Sequence, residues 1–169
     1  MTHAASRSTG PTWRFVWSHP AHVLAFGLGS GLAPAAPGTV GTLLALPLYW
    51  YLGPRLDAVE FLLLIVLLFV VGVWACGRTG RALGAADHGG IVWDEIVAFL
   101  AVLFFTPDDL RWQAAAFVLF RVFDVAKPPP IRYYDERLKS GFGVMFDDMI
   151  AAFYTLLALA LWKALLESF

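Results

Sequence analysis

Two pairs of adjacent carboxylates, Asp94 and Glu95 in "GIVWDEIVAFLAVLFF" and Asp147 and Asp148 in "GFGVMFDDMIAA", stand in stretches otherwise apolar enough to enter a bilayer. An acid at mid-membrane depth costs roughly 2.5 to 3.5 kcal/mol on insertion scales, so paired acids in such company need an offsetting partner. The positive end of a helix stabilises a carboxylate by about 0.3 to 1 kcal/mol, which would account for Asp94 or Asp147 as a simple cap. It accounts less well for a second like charge beside each. A hard divalent cation such as Mg²⁺ takes carboxylate oxygens and keeps its remaining positions for water or phosphate oxygens. Asp94, Glu95, Asp124, Asp147 and Asp148 are therefore the candidate metal ligands. Adjacent helical residues point about 100° apart, so one member of each pair can bind metal while the other orients a ligand or acts as a base, and the sequence leaves open which.

"FRVFDVAKPPP" sets Arg121, Asp124 and Lys127 three residues apart in succession before prolines that end the helix. This is either an ion-pair ladder or a metal ligand between two phosphate-facing cations, Arg as a bidentate fork and Lys as a point charge; the two readings are compatible. "GLGSGLAPAAPGTVGT", 27–42, offers a phosphate cradle in which Ser30, Gly31, Gly38 and Thr39 would present hydroxyl and backbone donors. Gly27 and Gly31, four apart, serve equally well as a close helix-packing site. The stretch lacks the Gly-Lys-Ser/Thr ending of a nucleotide P-loop. His88, beside Asp87 in "DHGGIVWDE", is a candidate general acid or base, or an inert loop histidine. His19 and His22 read as interfacial and are assigned no role. Cys76 precedes "GRTGR", but Arg81 follows at five positions, one short of a thiol-phosphatase loop, and Cys76 ends an apolar helix, so a nucleophilic role is not expected.

The elements that must position these groups are hydrophobic. Of 169 residues 59% are hydrophobic and 15% charged, against about 45–50% and 25% in an ordinary soluble domain, which predicts a membrane protein. With a net charge of -1 nothing suggests a nucleic-acid footprint, and a single cysteine excludes an intrachain disulfide framework. The expected fold is an all-α integral membrane bundle of about five hydrophobic segments: 58–76, 91–106 and 149–166, with shorter ones at 40–52, containing Pro47, and 112–125, containing Arg121 and Asp124. An interfacial amphipathic helix is expected over 13–26. Residues 1–18 read as a partly interfacial cytoplasmic tail and 19–169 as one domain; glycines and prolines interrupt 23–38, so a cleaved leader is not expected. Tyr49, Trp50, Tyr51, Trp74, Trp93, Trp112 and Trp162 fall where an aromatic belt would lie. If all five segments cross from a cytoplasmic N-terminus, Arg7, Arg14, Arg78, Arg81, Lys127, Arg132, Arg137 and Lys139 lie inside and Arg55, Arg111 and Lys163 outside, in keeping with the positive-inside rule. The five acids then meet at one cytoplasmic face, provided that the fourth segment returns across the membrane.

Taken together, the Gly-rich stretch with its Pro-Gly-Thr, "DHGGIVWDE", "FRVFDVAKPPPIRYYD" and "GFGVMFDDMIAA" resemble, in order and spacing, bacterial phosphatidylglycerophosphatase A, across roughly 19–162. The resemblance implies an inner-membrane, Mg²⁺-dependent enzyme that hydrolyses phosphatidylglycerophosphate to phosphatidylglycerol and phosphate. It points to Asp94, Glu95, Asp124, Lys127, Asp147 and Asp148, with Asp87, His88 and Arg121 nearby. The implied partner is a phospholipid in the membrane; oligomeric state is left open. Water attacking in line is the expected chemistry, with Arg121 and Lys127 on the equatorial oxygens; an aspartyl-phosphate is the other route, although the sequence lacks the Asp-x-Asp motif common to it. Two competing classes are a cation transporter or channel subunit, whose acids should run through the bilayer, and a metal-dependent phosphatidyl-transferring enzyme.

Overall fold

The computed structural model describes residues 10–129 and 131–168, the side chains of 134–136 excepted, and all regular structure among them is helical. In chain order the helices are α1 (Trp13–Val16), α2 (Pro20–Ala25), α3 (Pro37–Leu52), α4 (Ala58–Leu83), α5 (Trp93–Phe105), α6 (Leu110–Ala126), α7 (Ile131–Arg137) and α8 (Gly141–Glu167), with 3-10 turns at Gly27–Leu32 and Gly53–Arg55. The expected helix over 13–26 is two short ones, because Pro20 cannot continue α1 and His19 caps α2 through Nδ1, which accepts from the Ala21 N–H at 3.0 Å. Residues 1–9, including Arg7, lie outside the described residues.

Helix ends follow local chemistry. Asp57 and Glu60 form a reciprocal capping box at the start of α4, and Gly84, at a φ of +69°, takes the left-handed turn that ends it. Ser140 caps α8 by accepting from the Gly143 N–H at 3.2 Å. Helix α8 thus begins at Gly141 rather than near 149. Gly141 permits this early start: a Cβ there would lie 2.1 Å from the Val73 carbonyl oxygen, so only glycine lets α8 cross α4 so closely. As a result Asp147 and Asp148 sit in its second turn, not its first.

Among the described residues, two helices are both long and apolar enough to cross a membrane, α4 and α8. At 26 and 27 residues each spans about 40 Å, against a hydrocarbon core of about 30 Å. The expected third crossing is different in kind. Helix α5 has 13 residues, ten of them buried, and is about 20 Å long; it packs against α3, α4, α6 and α8 as the axle of the bundle. Its unbroken apolar run reflects enclosure by protein on all sides, which hydropathy alone does not distinguish from enclosure by lipid. Trp93 accordingly belongs to the core and not to a belt, with Nε1 donating to the Leu68 carbonyl at 3.2 Å. The outer apolar surface is on the other helices. Val59, Leu63, Val66 and Val70 form an exposed stripe on α4, and Phe153, Leu157 and Leu161 another on α8, a pattern suited to lipid and costly in water.

Helix α6 returns alongside α8. The end of α4, the start of α5, the end of α6 and the early turns of α8 therefore meet at one pole. At the other pole Trp50 donates to Gln113 Oε1 at 2.9 Å and Gln113 to Asp108 Oδ1 at 3.2 Å, tying α3 to α6.

Candidate active site

At that shared pole a cavity of about 220 Å³ is lined by Asp87, Asp94, Glu95, Asp124, Asp147 and Asp148, together with Lys127. Its depth is graded. Asp94, Asp147 and Asp148 are only 6, 3 and 4% exposed, whereas Asp87 and Lys127 stand nearer the mouth. All five acids picked out as candidate ligands line this one space, drawn from three helices that are distant in sequence.

The carboxylates fall into two groups. Glu95, Asp124 and Asp147 are held by bases. Arg121 Nη1 lies 2.6 Å from both Glu95 Oε2 and Asp124 Oδ2 and 3.3 Å from Thr42 Oγ1, whose hydroxyl is also 2.9 Å from Glu95 Oε2. Lys127 Nζ is 2.8 Å from Asp147 Oδ2 and 3.7 Å from Asp87 Oδ2. Lys127 also occupies the left-handed region, at a φ of 41°, where it caps α6 ahead of Pro128; such a conformation costs about 1 to 3 kcal/mol and persists when surrounding contacts fix it. The second group has no such relief. Asp94 Oδ1 and Asp148 Oδ2 are buried with no hydrogen-bond partner. Buried carboxylate oxygens are unfavourable unless paired, hydrogen-bonded or coordinated.

Those two orphaned oxygens, beside further carboxylates in a cavity with more acids than bases, fit a divalent cation by donor type and charge. Among the described residues no three acid, histidine or cysteine side chains are already drawn together as a finished ligand group. They line the space around a gap, and the two bases hold three of them to its walls.

The other sequence candidates lie elsewhere. Ser30, Gly31, Gly38 and Thr39 do not line the cavity. Ser30 Oγ donates within its own turn to the Phe26 carbonyl, and a Cβ on Gly31 would meet the Gly90 oxygen at 2.0 Å. The Gly-rich stretch therefore packs closely against the segment leading into α5, the alternative to a phosphate cradle. A Cβ on Gly38 would lie 2.0 Å from Glu95 Oε1, so Gly38→Ala is expected to push Glu95 off Arg121 and Thr42, lowering stability by about 1 to 3 kcal/mol; a melting curve in detergent, run beside an activity assay, checks this. His88 turns away from the acids. Its Nδ1 accepts from the Gly90 N–H at 3.0 Å, and its ring lines a different hollow with Thr12 and Phe15. Arg121 is likewise behind the carboxylates rather than on the cavity surface. Sequence reasoning missed Thr42, for which the only signal was its place one helical turn after Gly38. It also missed His22, which is buried with Nδ1 2.9 Å from Thr79 Oγ1 and locks α2 to α4.

A helical bundle with an apolar outer surface and its buried acids gathered at one end is compatible with a membrane-associated enzyme. Residues 23–163 match the family model described as Phosphatidylglycerophosphatase A, and the chain belongs to that family. It is 44% identical over 139 residues to a phosphatidylglycerophosphatase A of Escherichia coli K12, covering 82% of this chain and 80% of the relative. It is 46% identical over 144 residues to one of Haemophilus influenzae Rd, covering 82% and 86%. A third relative, from Bacteroides thetaiotaomicron, is 40% identical over 145 residues, covering 80% and 90%, and bears the name "Putative phosphatidylinositol-3-phosphatase". No solved structure matches the chain.

Proposed function

We propose that this protein hydrolyses the terminal phosphomonoester of phosphatidylglycerophosphate, with Mg²⁺ as cofactor, at the cytoplasmic face of the bacterial inner membrane. The observation that carries the reading is the pair of orphaned buried oxygens, on Asp94 and Asp148, inside a cavity that Lys127 overlooks at the end of an apolar bundle. Asp94 and Asp148, with Asp124 and Asp147 beside them, would hold the cation. When bound, Mg²⁺ supplies Lewis-acid polarisation of the phosphoryl group and charge that offsets the acids. Lys127, braced by Asp147 and Asp87, presents a cation to the entering phosphate. Arg121 acts through its neighbours by holding Glu95 and Asp124 in place. Water attacks phosphorus in line, the bond from phosphorus to the glycerol oxygen breaks, and a cavity carboxylate takes the water's proton for delivery to the leaving alkoxide.

The depth of the site suits this substrate. A lipid phosphate lies at headgroup level, and the early turns of α5 and α8 put the acids just within the end of the bundle. An ion pathway is disfavoured because every buried charged residue described, Asp94, Asp124, Asp147 and Asp148, belongs to the same pole. The test is phosphate release from phosphatidylglycerophosphate by the purified protein. Release is expected with Mg²⁺ and is expected to stop after exhaustive EDTA treatment and resume on Mg²⁺ addition; no release under any condition, or release of a nucleotide instead, would overturn the function. Orientation has its own measurement. Because the native Cys76 is buried, a Lys139→Cys variant should react with an impermeant maleimide from the cytoplasmic side, and labelling only from outside would invert the topology.

A further inference from the structure

The "GRTGR" stretch has no place in the catalysis above, yet it builds a second cavity. A space of about 330 Å³ between the end of α4 and the start of α8 is lined by Gly77, Gly80, Arg81, Lys139 and Gly141, among others. The glycines bring the two helices together: a Cβ on Gly77 would lie 3.3 Å from Gly141 Cα and 3.6 Å from Arg81 Nη1, so the guanidinium lies along the seam. Arg81 makes no ion pair with any described residue. Consecutive residues line the two cavities, Ala86 the basic one and Asp87 the acidic one. Along α8, Gly141 and Asp147 are about 9 Å apart by helical rise.

A lipid with a terminal phosphomonoester on a headgroup joined by a phosphodiester brings two anionic groups to this pole. The acid-lined cavity can accept only one of them, and its own bases, Arg121 and Lys127, are engaged by carboxylates. The other anion sits a three-carbon bridge away and needs positive charge outside that cavity. We propose that the basic cavity, through Arg81 and Lys139, binds the phosphodiester of the lipid whose monoester enters the acid-lined cavity. This rests on the function proposed above and deepens it: the two residues would select for phosphomonoester lipids that also have a diester. Arg suits the role because its planar fork can meet two phosphate oxygens at once.

The test compares a diester probe with a monoester probe in detergent mixed micelles. Arg81→Gln is expected to raise KM for phosphatidylglycerophosphate about tenfold, most of the effect falling in KM rather than kcat, and to weaken inhibition by phosphatidylglycerol, which has only the diester, by a similar factor. Inhibition by inorganic phosphate should stay as in the parent. Lys139→Gln should repeat the pattern and serves where Arg81→Gln does not fold. Arg14→Gln, which removes an exposed cation outside the cavity, should leave KM unchanged. An unaltered KM in both cavity variants, equal weakening by both inhibitors, or the same rise in Arg14→Gln would overturn the assignment. If the parent released no phosphate from the lipid, the catalytic reading would fail by itself; phosphatidylglycerol binding to parent and Arg81→Gln protein, measured directly, would still decide the diester site.

Discussion

Asp94→Asn and Asp148→Asn should each lower phosphate release from phosphatidylglycerophosphate by about 10³-fold, a loss at the upper end of that seen when a single group stabilising transition-state charge is removed. Both substitutions preserve shape, remove the charge and exchange one acceptor oxygen for an NH2 donor. The same variants should be more stable than the parent in metal-free buffer, because each removes a buried charge with an unpartnered oxygen from among other carboxylates and supplies an NH2 that can donate to them, an effect on the order of 1 to 3 kcal/mol. In excess Mg²⁺ the order should reverse, since the parent alone keeps its full set of donors. Thermal melts in detergent with and without the ion, run beside the phosphate assay, separate a lost ligand from a lost fold. Near-normal turnover in either variant would remove that residue from the site, and melts indifferent to Mg²⁺ in the parent would remove the ion.

Arg121→Ala has a different expected signature. Glu95, Asp124 and Arg121 have 13, 11 and 17% side-chain exposure, and one guanidinium nitrogen bridges the two acids. Its removal would leave two carboxylates side by side in a poorly solvated site, and breaking such a pair costs about 3 to 5 kcal/mol. The protein should therefore melt well below the parent with or without Mg²⁺, and in Mg²⁺ lose activity by about 10²-fold. Arg121→Lys should restore part of the loss, because a single nitrogen bridges the two acids and an ammonium can do the same from a side chain one bond shorter. Adding Glu95→Gln to Arg121→Ala should recover part of the stability by removing one of the stranded charges, an interaction a double-mutant cycle measures directly. A melting temperature unchanged in Arg121→Ala would show that the clamp does not hold this pole together.

Residue type alone made the acids legible. Asp94, Glu95, Asp124, Asp147 and Asp148 stood out because carboxylates in apolar stretches are expensive, and all five do line one cavity. The helical class followed from long apolar runs, but the number of crossings did not. Hydropathy reports that 91–106 avoids water without saying whether lipid or other helices exclude it, and the enclosure of α5 by four neighbours is a tertiary fact. The Gly-rich stretch is placed off the cavity lining for a related reason. Glycine permits close approach of backbone to anything, and only packing shows that Gly31 meets Gly90 and Gly38 meets Glu95. His88 was attractive as a histidine beside an acid, yet its Nδ1 accepts from the Gly90 N–H of its own loop.

By itself, then, the order of residues determined the chemistry available: an excess of acids, two bases spaced along one helix, and long apolar stretches around them. The family's motif spacing was legible there too. Tertiary structure decided the division of labour, because it depends on distances between helices far apart in the chain. Arg121 falls to Glu95 and Asp124, Lys127 to Asp147 and Asp87, and one buried oxygen each of Asp94 and Asp148 is left without a protein partner. Side-chain charge is a property of each residue, whereas a carboxylate's freedom to bind an ion depends on what the fold has placed within about 3 Å of it.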